Sequence, residues 1–301
     1  MSAFILAVDH RNSLRDWLAS VGVQQHQIDR TARRLKRLCV EALEQARPQL
    51  DADDTPMLLL DEEYGVDAIP AAKANRIPIV IPAEQSGQAE FLFEHGDDFR
   101  QAIEQVDPDA VKALVRYNPA GDKELNERSR ARLKTLQSYL NKSDRRFMLE
   151  LLVPPTQIQA SDFKQQFDDE IRPALTLDAI GELAADGLRP DWWKLEGNHD
   201  HDAAVAIAAA GSAAAELGCL VLGRGQDRDS VVHWVQVAAP VEGFVGFAVG
   251  RTLWTDAFAA VVREEIDEQE AAARIAANYL DIATVYREAA APVVAATGTD
   301  Q

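Results

Sequence analysis

Residues 110–121 have the sequence AVKALVRYNPAG, in which a short apolar run ends in polar residues and a proline. Similar runs, rich in residues that favour strands, recur along the chain and are continuous rather than alternating. There are eight of them: Phe4–Val8, Met57–Leu60, Ile77–Ile81, Ala110–Val115, Phe147–Val153, Trp192–Leu195, Cys219–Leu222 and Phe244–Val249. Continuous apolar runs are typical of parallel strands that helices cover on both faces. The pattern therefore predicts eight buried parallel strands.

Segments with the spacing of amphipathic helices separate these runs. Examples of apolar residues at helical intervals are Ile28, Leu35, Leu38 and Leu43, and later Phe99, Ile103 and Val106. Eight βα units in 301 residues favour a closed barrel over an open doubly wound sheet, and no dinucleotide-binding glycine motif follows the first run. We therefore predict an α/β fold, a single-domain (β/α)8 TIM barrel over residues 1–301. A helix at about 268–289 should close it, and residues 296–301 should form a frayed tail.

The charge balance excludes several classes of partner. The chain has 31 basic and 49 acidic residues and a formal net charge of -18 at pH 7. Such a charge repels nucleic acid and anionic membrane surfaces, so we expect neither as a partner. The two cysteines, Cys39 and Cys219, lack the spacing of a disulfide framework or a metal site, and no secretory signal or membrane span is evident. We therefore expect a cytoplasmic protein.

Polar residues follow almost every apolar run. In (β/α)8 barrels the active site lies at the carboxyl ends of the strands, so these residues are candidates for it. In chain order they are Asp9, His10 and Arg11; Asp61, Glu62 and Glu63; Glu84 and Gln85; Lys112 and Arg116; Glu150; Lys194 and Glu196; Arg224; and Arg251.

Two lysines, Lys112 and Lys194, lie inside apolar runs. Turned outward, each ammonium would be buried without water in the helix layer, whereas turned inward it would reach the cavity. Burial beside a second cation should lower the pKa of such a lysine, and the neutral amine can attack a carbonyl. The alternative is that both lysines are structural and pair with Glu150 and Glu196. The presence of two such lysines on separate strands, with acids nearby, favours a catalytic role over a structural one.

Glycines and arginines cluster after the last two runs. The clusters are Gly223, Arg224 and Gly225 after the seventh run, and Gly246, Gly250, Arg251 and Thr252 at and beyond the eighth. Barrels often bind phosphate at this position through glycine amides, a helix N-terminus and an added cation. Either cluster alone would be explained by tight turns. Both together, each with an arginine, predict a phosphate site.

Histidines and a basic run lie outside these clusters. His199 and His201 have poor spacing for a metal site, and Asp200 or Asp202 is expected to cap a helix there. His10 is a better candidate for proton transfer or for a hydrogen bond to substrate. The basic run Arg33, Arg34, Lys36 and Arg37 is interpreted as an exposed face of the first long helix.

Seven phrases of the chain, covering nearly its whole length, carry a family resemblance. They are AVDHR (7–11), LLLDEEYG (58–65), AVKALVRYNPAG (110–121), FMLELLVPP (147–155), DWWKLEG (191–197), LGRG (222–225) and GFAVGRTLW (246–254), at every strand end except the third. They resemble the class I aldolases of inositol catabolism, which cleave 2-deoxy-5-keto-gluconate 6-phosphate. Those enzymes are distantly related to the tagatose 1,6-bisphosphate and sulfofructose phosphate aldolases.

The resemblance implies a (β/α)8 barrel with no metal and no cofactor. It implies a Schiff-base lysine at Lys194, a second lysine at Lys112, and acids at Glu150 and Asp9. In the tagatose bisphosphate aldolases a glutamine follows the acid at the end of the first strand. In this sequence His10 follows the corresponding acid, Asp9. The base that starts bond cleavage is either Glu150 or Asp9.

The expected binding residues surround this catalytic group. Phosphate is expected at Gly223, Arg224, Gly225, Gly250 and Arg251, and the rest of the substrate at His10, Arg11, Asp61, Glu62 and Arg116. The substrate would be a phosphorylated sugar acid, and its products would be dihydroxyacetone phosphate and malonate semialdehyde. A separate sugar kinase of the same pathway and a homo-oligomer are further expectations.

Three alternatives stay open. A metal-dependent aldolase would use histidine ligands in place of the imine. A non-catalytic phosphosugar-binding barrel would keep the phosphate site without turnover. Another phosphorylated ketose, such as tagatose bisphosphate or sulfofructose phosphate, could be the substrate of the same chemistry.

Overall fold

The computed structural model describes residues 2–163 and 166–291. Eight parallel strands form a closed barrel in chain order, each paired with the next and the last with the first. They are β1 (Ser2–Val8), β2 (Asp54–Leu60), β3 (Ile79–Pro82), β4 (Ala110–Arg116), β5 (Arg146–Leu152), β6 (Trp192–Glu196), β7 (Gly218–Leu222) and β8 (Phe244–Val249). The predicted (β/α)8 TIM barrel is confirmed.

Helices cover the outside of the barrel. Those in the described residues are α1 (Asn12–Ser20), α2 (Ile28–Ala46), α3 (Ala68–Ala74), α4 (Phe99–Val106), α5 (Lys123–Leu140), α6 (Gln157–Asp162), α7 (Arg172–Ala185), α8 (His201–Ala213), α9 (Arg228–Ala238), α10 (Arg251–Val262) and α11 (Glu268–Ala290). A single π-helical turn, Phe167–Ile171, leads into α7. None of the helices in the described ranges is long and apolar enough to cross a membrane.

Side-chain alternation along the strands produces two apolar cores. Residues such as Ile5, Met148 and Trp192 pack inside the barrel, whereas their neighbours, such as Trp193, pack under the helices. Two positions further along β5 and β6, the inward side chains become Glu150 and Lys194, which are register partners. The interior is therefore apolar at its amino end and charged at its carboxyl end.

One glycine is required where β8 meets β1. Gly246 has a φ of 147°, and a Cβ at this position would lie 1.9 Å from the carbonyl oxygen of Ala3. Any side chain would therefore separate the strands that close the barrel.

The strand boundaries differ slightly from those expected. The third strand begins at Ile79 rather than Ile77, because the N–H of Ile77 donates to the carbonyl of Ala72 and closes α3. The final helix is confirmed at Glu268–Ala290, and the predicted frayed tail, 296–301, lies outside the described residues. The prediction that Lys36 belongs to an exposed helix face is wrong, since its side chain is fully buried.

Candidate active site

A cavity of about 640 Å³ lies at the carboxyl ends of the strands. Residues that are far apart in sequence meet there because the barrel brings all eight strand ends to one rim. The predicted residues in its lining are Asp9, His10, Arg11, Lys112, Arg116, Glu150, Lys194, Gly223, Arg224, Gly225, Gly250 and Arg251. The predicted Asp61 and Glu62 are not part of it.

Two ammonium groups and a set of carboxylates form the floor of this cavity. Lys112 Nζ lies 2.6 Å from Asp9 Oδ2, 2.6 Å from Glu84 Oε1 and 3.1 Å from Glu150 Oε2. Lys194 Nζ donates to the same Oε2 of Glu150 at 2.9 Å. Glu150 therefore bridges the two lysines.

The surroundings of Lys112 fix its charge. Burial alone would lower the pKa of this ammonium, but the three carboxylates outweigh burial and raise the pKa well above 10.5. The prediction of a lowered pKa is therefore wrong for Lys112. For Asp9 and Glu150 burial acts in the opposite sense, but the ammonium groups of Lys112 and Lys194 outweigh it and lower both carboxyl pKa values.

Lys194 has a different environment from Lys112. Within the described residues it has one carboxylate within 4.0 Å, that of Glu150, and only 4% of its side chain is exposed. Its Nζ donates a hydrogen bond to this one carboxylate, whereas the Lys112 ammonium is held by three anions. Of the two strand lysines, Lys194 is the one suited to act as a nucleophile.

Glu84, two residues beyond the end of β3, belongs to this cluster although no catalytic or binding role was predicted for it. Burial raises the pKa of its carboxyl group, which also accepts a hydrogen bond from the N–H of Leu114. The strand-end rule did point to Glu84. The family phrases do not cover the third strand, so the resemblance gave it no role.

The loop after β7 and the start of α10 form a cationic corner of the cavity, at the predicted phosphate site, which we call the anion-binding corner. Arg224 and Gly225 have successive positive φ angles of 50° and 69°. A Cβ on Gly225 would lie 2.1 Å from Nη2 of Arg251, so the glycine leaves room for that guanidinium. The same Nη2 donates to the carbonyl of Arg224 at 3.0 Å. The two predicted glycine and arginine clusters therefore form one structure.

The N-terminus of α10 adds partial positive charge. Gly250 is its N-cap and supplies no side-chain cap, and a Cβ there would lie 2.4 Å from the carbonyl of Ala7. Arg251 is exposed and has no carboxylate within 4.0 Å among the described residues. Helix N-termini beside an unpaired arginine are favourable for phosphate.

Arg224 is more strongly neutralised than Arg251. It lies 3.0 Å from Glu196 Oε1 and 3.2 Å from Asp168 Oδ2. Arg172 contacts the same two acids and also lines the cavity. Burial raises the pKa of Glu196, while the two arginines act against it. Arg172 was not predicted, because it lies on α7 rather than at a strand end.

The two arginines expected to contact the distal part of the substrate differ in availability. Arg11 donates to Glu94 Oε2 at 2.8 Å and to the carbonyl of Glu84 at 2.7 Å. Arg116 donates to the carbonyl of Gln88 at 2.8 Å and has no carboxylate within 4.0 Å in the parts of the chain described. Of these two arginines, Arg116 is therefore the one whose guanidinium is available to bind an anionic group.

His10 lies close both to the floor of the cavity and to the start of α10: its Nδ1 is 3.9 Å from Asp9 Oδ1, and a Cβ on Gly250 would lie 3.0 Å from its Cε1. Its ring packs edge-on against Trp254 at 5.3 Å. Burial lowers the pKa of the imidazole to about 4, and the Arg251 cation adds to this effect while Asp9 opposes it. The imidazole is therefore neutral at pH 7 and can accept a hydrogen bond or a proton.

The structure does not fit the expected substrate contacts of Asp61 and Glu62. Asp61 is fully buried, pairs with Lys36 and accepts a hydrogen bond from the N–H of Tyr64. Glu62 contacts His95 Nε2 at 2.9 Å instead. After β2 the chain turns away from the cavity, so both carboxylates lie outside its wall.

The remaining histidine expectations concern α8. Asp200 caps its N-terminus by accepting from the N–H of Ala203, as predicted. His199 accepts a hydrogen bond from Trp234 Nε1 at 3.1 Å. Within residues 2–163 and 166–291, no group of three or more His, Cys, Asp or Glu side chains could hold a metal ion.

Comparison with known protein sequences gives one family match and several distant relatives. A family model described as "Uncharacterized protein conserved in bacteria (DUF2090)" matches residues 1–290. Tagatose 1,6-diphosphate aldolase 1 of Streptococcus mutans is 25% identical over 295 residues, or 89% of this chain and 84% of that protein. Tagatose 1,6-diphosphate aldolase 2 of Streptococcus pyogenes serotype M1 is 27% identical over 155 residues, or 49% of this chain and 43% of that protein.

Solved structures share the barrel. Fructose-bisphosphate aldolase from Plasmodium falciparum has a TM-score of 0.67 at 13% identity, covering 95% of this chain and 89% of that chain. Cgl0159 from Corynebacterium glutamicum has a TM-score of 0.58 at 18% identity, covering 93% of this chain and 86% of that chain. At these identities the likeness shows the fold alone.

Proposed function

This chain belongs to the DUF2090 family, and we propose that it is a class I aldolase that cleaves a phosphorylated ketose through an imine on Lys194. The observation that carries the proposal is the position of Lys194 Nζ. It lies inside the cavity, 2.9 Å from Glu150, beside the permanent Lys112 cation, and the cavity also holds the anion-binding corner. The distant relatives named as tagatose 1,6-diphosphate aldolases support the same chemistry.

The first step forms the imine. Glu150 accepts a proton from Lys194, and the amine nitrogen then adds to the ketone carbon. The ketone oxygen takes up two protons, one from the adding nitrogen and one from protonated Glu150, and leaves as water, giving a cationic iminium and a regenerated Glu150 carboxylate. The Lys112 ammonium, held by three carboxylates, can donate a hydrogen bond to the departing oxygen.

The second step breaks the carbon–carbon bond. A base takes the proton of the hydroxyl two carbons from the imine carbon, and the electrons of that O–H bond form the aldehyde carbonyl. The electron pair of the broken bond moves to the iminium and gives an enamine. Glu150 and Asp9 both line the cavity, and their lowered pKa values keep both carboxylates ionised, so each is able to accept this proton. Protonation of the enamine and hydrolysis of the imine release the second product.

For the substrate we propose 2-deoxy-5-keto-gluconate 6-phosphate, which would give dihydroxyacetone phosphate and malonate semialdehyde. The corner formed by Arg224, Gly225 and Arg251 would hold the phosphate, and Arg116 would meet the carboxylate. The tagatose aldolase relatives favour a second candidate, a ketose bisphosphate. A cleavage assay on a panel of phosphorylated ketoses, with products identified by mass, tests both candidates. A barrel that only binds phosphosugars would cleave none of them.

Arg251→Ala is expected to raise KM by about 10- to 100-fold and to lower kcat much less, because the guanidinium holds the non-reacting phosphate. Steady-state kinetics with the best ketose of the panel measure both constants. Arg263→Ala is the matched control, since Arg263 is an exposed arginine at the opposite end of α10. Equal losses of kcat and kcat/KM in Arg251→Ala would contradict this division of roles.

Arg116→Met is expected to raise KM for a ketose with an anionic distal group by about 10-fold or more. The reason is that Arg116 lines the cavity without a carboxylate partner among the described residues, whereas Arg11 is already engaged. A phosphorylated ketose without the distal charge is the control and should keep its KM. An increase in KM of similar size for both substrates would show that Arg116 does not bind the distal anionic group.

A further inference from the structure

A buried ion pair lies just behind the wall of the cavity. Lys36, in the middle of α2, has a fully buried side chain, and its partner Asp61 follows β2. Neither residue lines the cavity. Buried ion pairs contribute little net stability compared with apolar residues of the same volume, because both charges lose their hydration. Stability alone is therefore a weak explanation for a lysine at this position.

Lys36 also holds the backbone at the end of β1. Its Nζ donates to the carbonyl oxygen of His10 at 3.0 Å, while Asp61 accepts from the N–H of Tyr64 at 2.8 Å. The ammonium thus ties α2 and the end of β2 to the turn that follows β1.

That turn carries two side chains of the proposed active site. Asp9 Oδ2 lies 2.6 Å from Lys112 Nζ, and the His10 ring packs against Trp254 beside Gly250, at the start of α10. A shift of the His10 carbonyl would move both side chains relative to Lys194. A displacement of about 1 Å in an active site can cost on the order of 100-fold in rate.

We infer that Lys36 is a positioning residue of the active site: its ammonium, held by Asp61, fixes the His10 carbonyl and thereby sets the places of Asp9 and His10 opposite Lys112 and Lys194. This inference rests on the proposed aldolase function. Lys36 touches neither the cavity nor the reacting atoms, so it acts only through the residues that it holds.

The charge of Lys36 also acts on the site. Burial lowers the pKa of Lys36 to about 7 and Arg11 adds to this effect, while Asp9, Cys39 and Glu63 oppose it. Asp61 is in direct contact with its Nζ. Burial likewise lowers the pKa of the His10 imidazole; Arg251, Lys36 and Lys194 add to this effect, and Asp9 opposes it.

The decisive variant is the double substitution Lys36→Met and Asp61→Asn. Lys36→Met alone leaves a buried carboxylate unpaired and can fail to fold, whereas the double variant removes both charges and keeps an acceptor for Tyr64. We expect its melting temperature to stay close to that of the unmodified protein. We expect kcat to fall about 10- to 100-fold and KM to change by less than about threefold.

The matched control is Arg33→Met, which removes an exposed cation from the same helix. It should change neither kcat nor KM. A purely structural role for the ion pair predicts that activity follows stability. A double variant with normal stability and normal kcat would therefore overturn the inference.

A second measurement does not depend on catalysis. The Cε1–H resonance of His10, assigned with a His10→Gln variant, should move in the double variant because the imidazole shifts against the Trp254 ring. An unchanged resonance would overturn the inference even if kcat fell. If the unmodified protein cleaves no ketose, the proposed function fails, and this resonance still tests the role of Lys36.

Discussion

Replacement of Lys194 by methionine is expected to abolish cleavage of every phosphorylated ketose, with a loss in kcat on the order of 10^5-fold or more. Methionine keeps most of the apolar stem and removes the nitrogen that would form the imine. Lys112 cannot take over, since three carboxylates hold its ammonium and raise its pKa well above 10.5. The variant should still fold, because Glu150 keeps its contact with Lys112.

The imine itself provides the most direct measurement. Borohydride reduction in the presence of dihydroxyacetone phosphate should add the mass of the reduced triose phosphate to the peptide that contains Lys194. The Lys194→Met protein should remain unmodified. Lys123→Met, at the exposed start of α5, is the control and should be labelled like the unmodified protein. Labelling of the Lys112 peptide, or turnover by Lys194→Met, would refute the assignment of the nucleophile.

Replacement of Lys112 by methionine is expected to lower kcat by roughly 10^3-fold and to destabilise the protein by about 3–5 kcal/mol at pH 7. Asp9, Glu84 and Glu150 would then face one another without the cation that they share. Both effects have the same origin, because this ammonium stabilises the carboxylates in the free protein and the departing oxygen during imine formation.

The dependence of stability on pH separates this mechanism from a simple packing defect. In the unmodified protein the pKa values of Asp9 and Glu150 are lowered, so their contribution to stability is present above about pH 4 and is lost as the pH falls. Without Lys112 the crowded carboxylates should have raised pKa values. Their destabilising effect is then relieved as the pH falls from 7 towards about 5.

Urea unfolding of both proteins at these two pH values measures the difference. The stability gap between Lys112→Met and the unmodified protein should narrow at the lower pH. Adding Glu84→Gln to Lys112→Met removes one of the three negative charges and should restore part of the stability at pH 7. A gap that is independent of pH would show that the lost interaction is not electrostatic.

Prediction from strand position was correct for the direction in which three strand side chains point. Lys112, Glu150 and Lys194 lie at inward positions of their strands, and all three line the cavity as expected. It failed for Asp61, which also follows a strand but points behind the wall to pair with Lys36. Lys36 lies in a basic run of α2, and nothing local in the sequence shows that its side chain pairs with a buried carboxylate.

The pattern of apolar runs by itself determined the barrel, the placement of the site at one rim and the identity of most residues there. These properties depend on local periods of two and 3.6 residues and on the rule that parallel strands end on the same side. Only the tertiary structure decided which charges neutralise one another. Lys112 meets Asp9 across 103 positions of the chain, and such pairings exist only once the barrel has closed. The family resemblance already implies Lys194 as the Schiff-base lysine. Only the structure shows that, among the described residues, Lys112 contacts three carboxylates and Lys194 contacts one, because these contacts join side chains from separate strands.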